Sequence, residues 1–243
     1  MSNEIPDIQV DFDDSYNPMI VSPNSPYGLQ FYQTQESMAD VEVYKKFLNN
    51  AISRFRHSKF YKQYKEYIFN DIGLNHCQVM HNISKDDATL EMHHNFLTIF
   101  DIALIITEHI LKTKGYISTF DLVQLLKEEH RQNHIPIVML SKTPHQLYHN
   151  NDELIFPAQM CFGDWAAFLS TYNQGLATKR IVTNIMNFIN LSVSENNLDD
   201  KNLIYTLLEV RDNVKKWSDY NEYGDNIRIS GVTYTNTTNN WNY

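Results

Sequence analysis

Residues 97–114 read LTIFDIALIITEHILKTK, and this stretch decides the fold. A helix drawn through it carries apolar side chains on every face, with Asp101, Thr107, Glu108 and His109 the only interruptions between 99 and 111. Such a helix has to be enclosed by the rest of the chain rather than laid on a surface. Gly115 is its natural stop. Beyond it, Ser118 or Thr119 with Asp121 caps a second helix running to about residue 132, and Pro136 blocks continuation. Upstream, ATLEMHHNF at 88–96 begins as a strand. Downstream, IPIVML at 135–140 is a second strand candidate, and Thr143 caps a short helix over PHQLYHN at 144–150, with Pro144 tolerated in its first turn. Asn150-Asn151-Asp152 makes a turn, after which ELIFP returns as another short strand.

The chain has 243 residues and 42% hydrophobic content, enough for a sizeable core. No run of about 18 uncharged apolar residues spans a bilayer, and no secretory leader is visible at the amino end. Two cysteines, Cys77 and Cys161, cannot build a disulfide framework and suit a reducing compartment, so a cytoplasmic location is expected. The net charge of -9 is unevenly spread. Residues 1–44 hold eight acids and no Lys or Arg, whereas 45–77 hold seven bases against two acids.

This pattern divides the chain. Residues 1–40, broken by Pro6, Pro18, Pro23 and Pro26, read as an extended acidic arm with little packed structure. Residues 41–72 form a basic, aromatic segment of one long helix or two short ones. A compact core follows over 73–162, with a helical insertion at 97–132. Residues 163–217 make two or three further helices, clearest over TKRIVTNIMNFINL and LIYTLLEVRDNVKKW, and 218–243 is a polar tail, read as one β-type segment or disordered.

Four of the ten histidines fall in two pairs. His145 and His149 are four apart, one turn along a single helix face, where two imidazoles can share a metal ion. His93 and His94 are adjacent, so a strand turns them to opposite sides and only one can join that ion. The other is then available as a base. A divalent cation that neutralises phosphate charge, beside an imidazole that deprotonates water, is the equipment of metal-assisted phosphodiester cleavage. Gln146, where a glutamate is needed, removes the H-E-x-x-H metalloprotease reading. His109, His130 and His134 read as helix-surface or helix-end residues, and Cys161 as core.

At these residues the chain resembles the HNH, or ββα-metal, endonuclease family. Cys77-Gln78-Val79-Met80-His81 precedes Leu90-Glu91-Met92-His93-His94, and Val138-Met139-Leu140-Ser141-Lys142-Thr143-Pro144-His145 follows with His149 behind it. The likeness covers roughly residues 75–155. It implies His93, His145 and His149 as metal ligands, His94 as general base, and Mg²⁺ or Mn²⁺ as cofactor, with Zn²⁺ acceptable at the same site. The implied fold is α+β and mainly helical, a small ββα core with a two-helix insertion. The chain departs from the family in its zinc knuckle, where Met80, Ser141 and Pro144 stand beside Cys77, and at its central Asn, where Pro136 stands. A structural zinc cannot form with that set.

Three functional readings follow. The first is an endonuclease whose Arg54, Arg56, Lys59 and Lys62 contact DNA phosphates while neighbouring rings pack or stack, the acidic arm competing for the same face. The second is a degenerate nuclease fold reused as a structural or virion component of a phage, or as a binder of a host factor, through its terminal arms. The abundance of Asn, Lys, Ile and Tyr suits AT-rich coding, as in phages and low-GC bacteria. The third is helix-turn-helix DNA binding through residues 118–134, which lacks a second helix before Pro136.

Overall fold

The computed structural model describes residues 32–149, 155–176, 178–194, 200–220, 227–229 and 232–234, with backbone alone at 147–149, 218–220, 227–229 and 232–234. Among the described residues the chain is mainly helical: eight α-helices accompany three two-stranded antiparallel sheets. In chain order these are β1 (Tyr32–Thr34), α1 (Val41–Arg56), α2 (Lys59–Asn70), β2 (Leu90–His94), α3 (Ile99–Lys114), β3 (Tyr116–Ser118), α4 (Thr119–Arg131), β4 (Ile137–Ser141), α5 (Lys142–His149), α6 (Trp165–Thr171), α7 (Lys179–Ser194), α8 (Lys201–Tyr220), β5 (Ile227–Ile229) and β6 (Val232–Tyr234).

The apolar stretch forms α3 and is enclosed as its composition requires. Every residue from Ile99 to Glu108 is buried, and so are Ile110 and Leu111. Its ends are defined locally. Thr98 and Asp101 exchange capping-box hydrogen bonds at the start, and Gly115 adopts the left-handed conformation at the stop, with φ 86°. Ser118 and Asp121 repeat the capping box at the start of α4. Around α3 lie α1, whose stripe Tyr44, Phe47, Leu48, Ala51, Ile52 and Phe55 follows helical spacing, α4, β3 and a turn at Asn173–Gly175. The turn approaches so closely that a Cβ on Gly175 would sit 1.9 Å from the Ile105 carbonyl oxygen.

The three polar residues of α3 that are buried, Asp101, Thr107 and Glu108, have partners. The Asp101 carboxylate, with no exposure at all, accepts from Thr98 and from the Arg180 guanidinium of α7. Tyr44 donates to Glu108 at 2.7 Å, and burial pushes that carboxyl above its ordinary range. The Thr107 hydroxyl donates to the Ala103 carbonyl at 2.7 Å. Each bond removes the penalty of an unpaired buried polar group, which is on the order of 1–3 kcal/mol.

The basic segment, open between one long helix and two short ones, is two helices, because Ser58 leaves helical geometry to cap α2 through the Tyr61 amide. Other expectations need correction. The end of the supposed arm is packed: Tyr32–Thr34 pairs with β3, Gln33 opposite Ile117, and Met38 is fully buried. Residues 1–31 lie outside the described residues. Ile155 to Pro157 is not a strand; its backbone runs into a 3₁₀ turn at Ala158–Met160, and 153–154 lie outside the described residues. In the tail, Ile227–Ile229 and Val232–Tyr234 pair antiparallel, two β segments where one, or disorder, was expected.

Gly175→Ala forces backbone against backbone, which a side-chain rotation cannot relieve. We expect a loss of roughly 2–4 kcal/mol and a fall of about 5–15 °C in melting temperature, read by thermal and denaturant unfolding.

Candidate functional site

β2 and β4 form an antiparallel ribbon in which His93 lies opposite Val138 and His94 opposite Ile137, and α5 follows β4 directly. The alternation of a strand then sorts the side chains of β2. Leu90, Met92 and His94 belong to one face and pack toward the core, while Glu91 and His93 belong to the other. On that second face α5 brings up His145. The imidazoles of His93 and His145 lie 5.1 Å apart between ring centres, in an edge-to-face arrangement. The Glu91 carboxylate is in contact with His145 Nδ1. His149 ends α5 one turn later, and its side chain lies outside the described residues. The sequence-expected pairing of His93 with His145 is therefore present in space. Glu91 was missed, although its position two residues before His93 on a strand places it on the same face. Among the described residues no group of three or more His, Cys, Asp or Glu side chains is arranged to hold a metal ion.

His94 occupies a different environment. Its Nε2 lies 3.1 Å from Nε2 of His130, and both side chains are buried. Phe55 of α1 and Tyr64 of α2 wall the pair in, with ring centres 4.6 and 5.2 Å from that of His130, and Tyr61 adds an edge contact. The tautomers follow from the partners. Nδ1 of His130 is 2.6 Å from the Leu126 carbonyl, which can only accept, so Nδ1 carries the proton. The neutral ring then offers a lone pair at Nε2, and His94 donates to it. Burial holds His94 well below the usual histidine range, reinforced by the neighbouring His130, His93 and Arg56. Burial likewise brings His130 down to about 4, partly opposed by its bond to Leu126. Of the two readings for His130, helix surface or helix end, the structure shows the second: it lies in the last turn of α4, buried because α1 and α2 cover that end.

The loop before β2 is tied to β4 by hydrogen bonds. Ser141 Oγ lies 3.5 Å from Cys77 Sγ and 4.0 Å from Met80 Sδ, and the Met80 amide donates to Cys77 Sγ at 3.3 Å. Gln78 does the stitching: its amide donates to the Met139 carbonyl, its Oε1 accepts from the Met139 amide at 2.6 Å, and its Nε2 donates to the Met160 carbonyl. Asn95, fully buried, fixes the chain after 155 by donating to the Phe156 carbonyl at 2.7 Å and accepting from the Phe156 amide at 3.0 Å. Asn95 Nδ2 also reaches Sγ of the half-buried Cys161 at 2.7 Å.

Arg54, Arg56, Lys59 and Lys62 are all exposed, at the end of α1 and the start of α2. Arg54 and Arg56 are two residues apart and so splay to opposite flanks of the buried Phe55. Arg56 lies toward Tyr61 and His94, and Lys65 covers the Tyr61 ring at 5.5 Å.

The imidazole pair makes stability depend on pH. An unfolded histidine holds its proton up to its ordinary 6.5, whereas folded His130 releases it down to about 4. The unfolded chain therefore binds more protons in that window, and stability is complete above 6.5 and lost as pH falls through it. Denaturant unfolding is expected to show a loss on the order of 3–4 kcal/mol across the window. A His94→Leu/His130→Leu double variant, with no proton to bind, should flatten this slope.

Among the described residues no helix is long and apolar enough to cross a membrane. No curated protein and no solved structure matches the chain. A family model does match, described as Bacteriophage G278-like virion protein, and it covers residues 1–219. This overturns the assignment to the HNH endonucleases, which rested on short motifs within residues 75–155. Strand H-H and helix H-x-x-x-H spacings specify a local geometry, and that geometry is compatible with more than one family. The match extends through the acidic segment, the basic helix pair, the enclosed core and α7, and on that length the chain belongs to the G278-like family of phage virion proteins.

Proposed function

We propose that the protein serves as a structural component of a phage particle, bound to a neighbouring virion protein, rather than as a DNA-cleaving enzyme. The observation that carries this reading is the extent of the family match, 1–219, which takes in the amino-terminal segment and the basic helices together with the core. The environment of His94 agrees with it. Its imidazole is bonded to that of His130, which Phe55, Tyr61 and Tyr64 wall in, so the pair is placed to hold α1, α2 and α4 against β2. In this reading the exposed cations Arg54, Arg56, Lys59 and Lys62 meet an acidic face of the neighbour, and DNA phosphate is the competing anion.

Phage particles purified by density banding are expected to retain the protein at a fixed copy number by quantitative mass spectrometry. Charge reversal at Lys59 and Lys62 should lower that number without unfolding the chain, because both side chains are exposed. Banded particles devoid of the protein overturn the proposal. So does Mn²⁺-dependent plasmid nicking by the purified protein that disappears in His145→Ala.

A further inference from the structure

We propose that the acidic amino-terminal segment, Glu4 to Asp14, occupies the cation face of α1 and α2 on its own chain and holds it until the acidic face of a neighbouring protein displaces it. This names what covers that face before assembly, and so rests on the role given to the face above.

The fold gathers cations from three helices. Arg54 and Arg56 end α1, Lys59, Lys62 and Lys65 lie on α2, and α4 adds Arg131; all six are exposed. The acids beside them are Glu66 of α2 and Glu128 of α4, and the second is bonded to Arg131. Arg54, Lys59 and Lys62 pair with no carboxylate among the described residues. Half-buried rings lie between the charges: Arg131 covers Phe60 at 5.4 Å and Lys65 covers Tyr61 at 5.5 Å. A cluster of one sign beside low-dielectric rings concentrates the field and attracts a chain of the opposite sign.

The segment that fits lies on the same chain. Residues 1–31 hold Glu4, Asp7, Asp11, Asp13 and Asp14 and no Lys or Arg. Phe12 lies between two of these acids and Tyr16 just beyond the last, as Phe60 and Tyr61 lie among the cations. The fold also fixes where the segment joins the body. Tyr32 pairs with Ser118, and α4 starts at the next residue, so β1 sits at the amino end of α4 while Arg131 marks the other end. The 13 residues of α4 put those ends about 20 Å apart. Asp14 precedes Tyr32 by 18 residues, which reach at most about 60 Å. The acids therefore reach the face of their own chain with slack. Tethering presents them there at on the order of millimolar concentration, well above what a second copy supplies in dilute solution.

The test compares the full-length chain with a full-length variant carrying Glu4→Gln, Asp7→Asn, Asp11→Asn, Asp13→Asn and Asp14→Asn. Acetylation of each lysine at limiting reagent is followed by mass spectrometry, with the exposed Lys85 and Lys216 as internal references. In the variant Lys59 and Lys62 are expected to react roughly 3–10-fold faster, with Lys85 and Lys216 unchanged. Carbodiimide coupling of wild type should join residues 4–14 to Lys59, Lys62 or Lys65, within one chain when isotope-labelled and unlabelled protein are mixed. Excess polyglutamate, standing in for an acidic protein face, should remove these links. Equal acetylation in wild type and variant, or links confined to other lysines or to pairs of chains, overturns the proposal, and links that persist under polyglutamate overturn the displacement. Each of these failures leaves the virion reading in place, whereas banded particles devoid of the protein overturn that reading and leave the contact within the chain standing.

Discussion

The enclosure of α3 is the constraint on which the rest of the structure depends. A helix apolar on all sides has no face to give to water, so the chain has to supply a wall in every direction. It does so with α1, α4, β3 and the Asn173–Gly175 turn. Area removed from water stabilises at about 25 cal/mol per Å², and most of α3 is removed completely. The cost is that every polar group carried inside must be bonded. Asp101, Thr107 and Glu108 each are, to Arg180, Ala103 and Tyr44. The Asp101–Arg180 pair also anchors α7, so the satisfaction of one buried carboxylate helps to place a helix whose arginine lies 79 residues later in the sequence.

The second organising element is the two-sidedness of β2. Adjacent histidines on a strand diverge, and here they reach environments of opposite character. His94 enters an aromatic enclosure with His130, neutral because burial disfavours its charged form. His93 faces α5, where Glu91 and His145 keep a carboxylate and a second imidazole close by. One dipeptide thus joins the helical layer on one side and the β4–α5 unit on the other. The loop at 77–80 is held by hydrogen bonds from Gln78 rather than by thiolates, which explains how the ribbon closes with one cysteine there.

Membership in a virion-protein family changes the weight of these features. In an enzyme the histidines would be judged by the reaction they serve. In a component of a particle they are judged by what they hold together, and both pairs join elements distant in sequence. The exposed cations at the α1–α2 junction belong to the same question, since α1 and α2 turn their buried stripes inward and leave Lys59 and Lys62 facing solvent.

Much of this was legible in the residues, because it is local. The enclosed helix, its Gly115 stop, the Ser118–Asp121 capping box and the strands at 90–94 and 137–141 depend on side chains within a few positions of one another. So does the divergence of His93 from His94, since the strand period is two. The burial of His130 was not legible, because its surroundings come from Phe55, Tyr61 and Tyr64, about 70 residues upstream. Nor was the pairing of Tyr32–Thr34 with β3, which depends on where the α3–α4 turn brings Ile117. Glu91 became a partner only once α5 had delivered His145. Short-range order follows from capping, period and backbone sterics. What each imidazole faces is decided by packing between distant segments, and no local pattern encodes it.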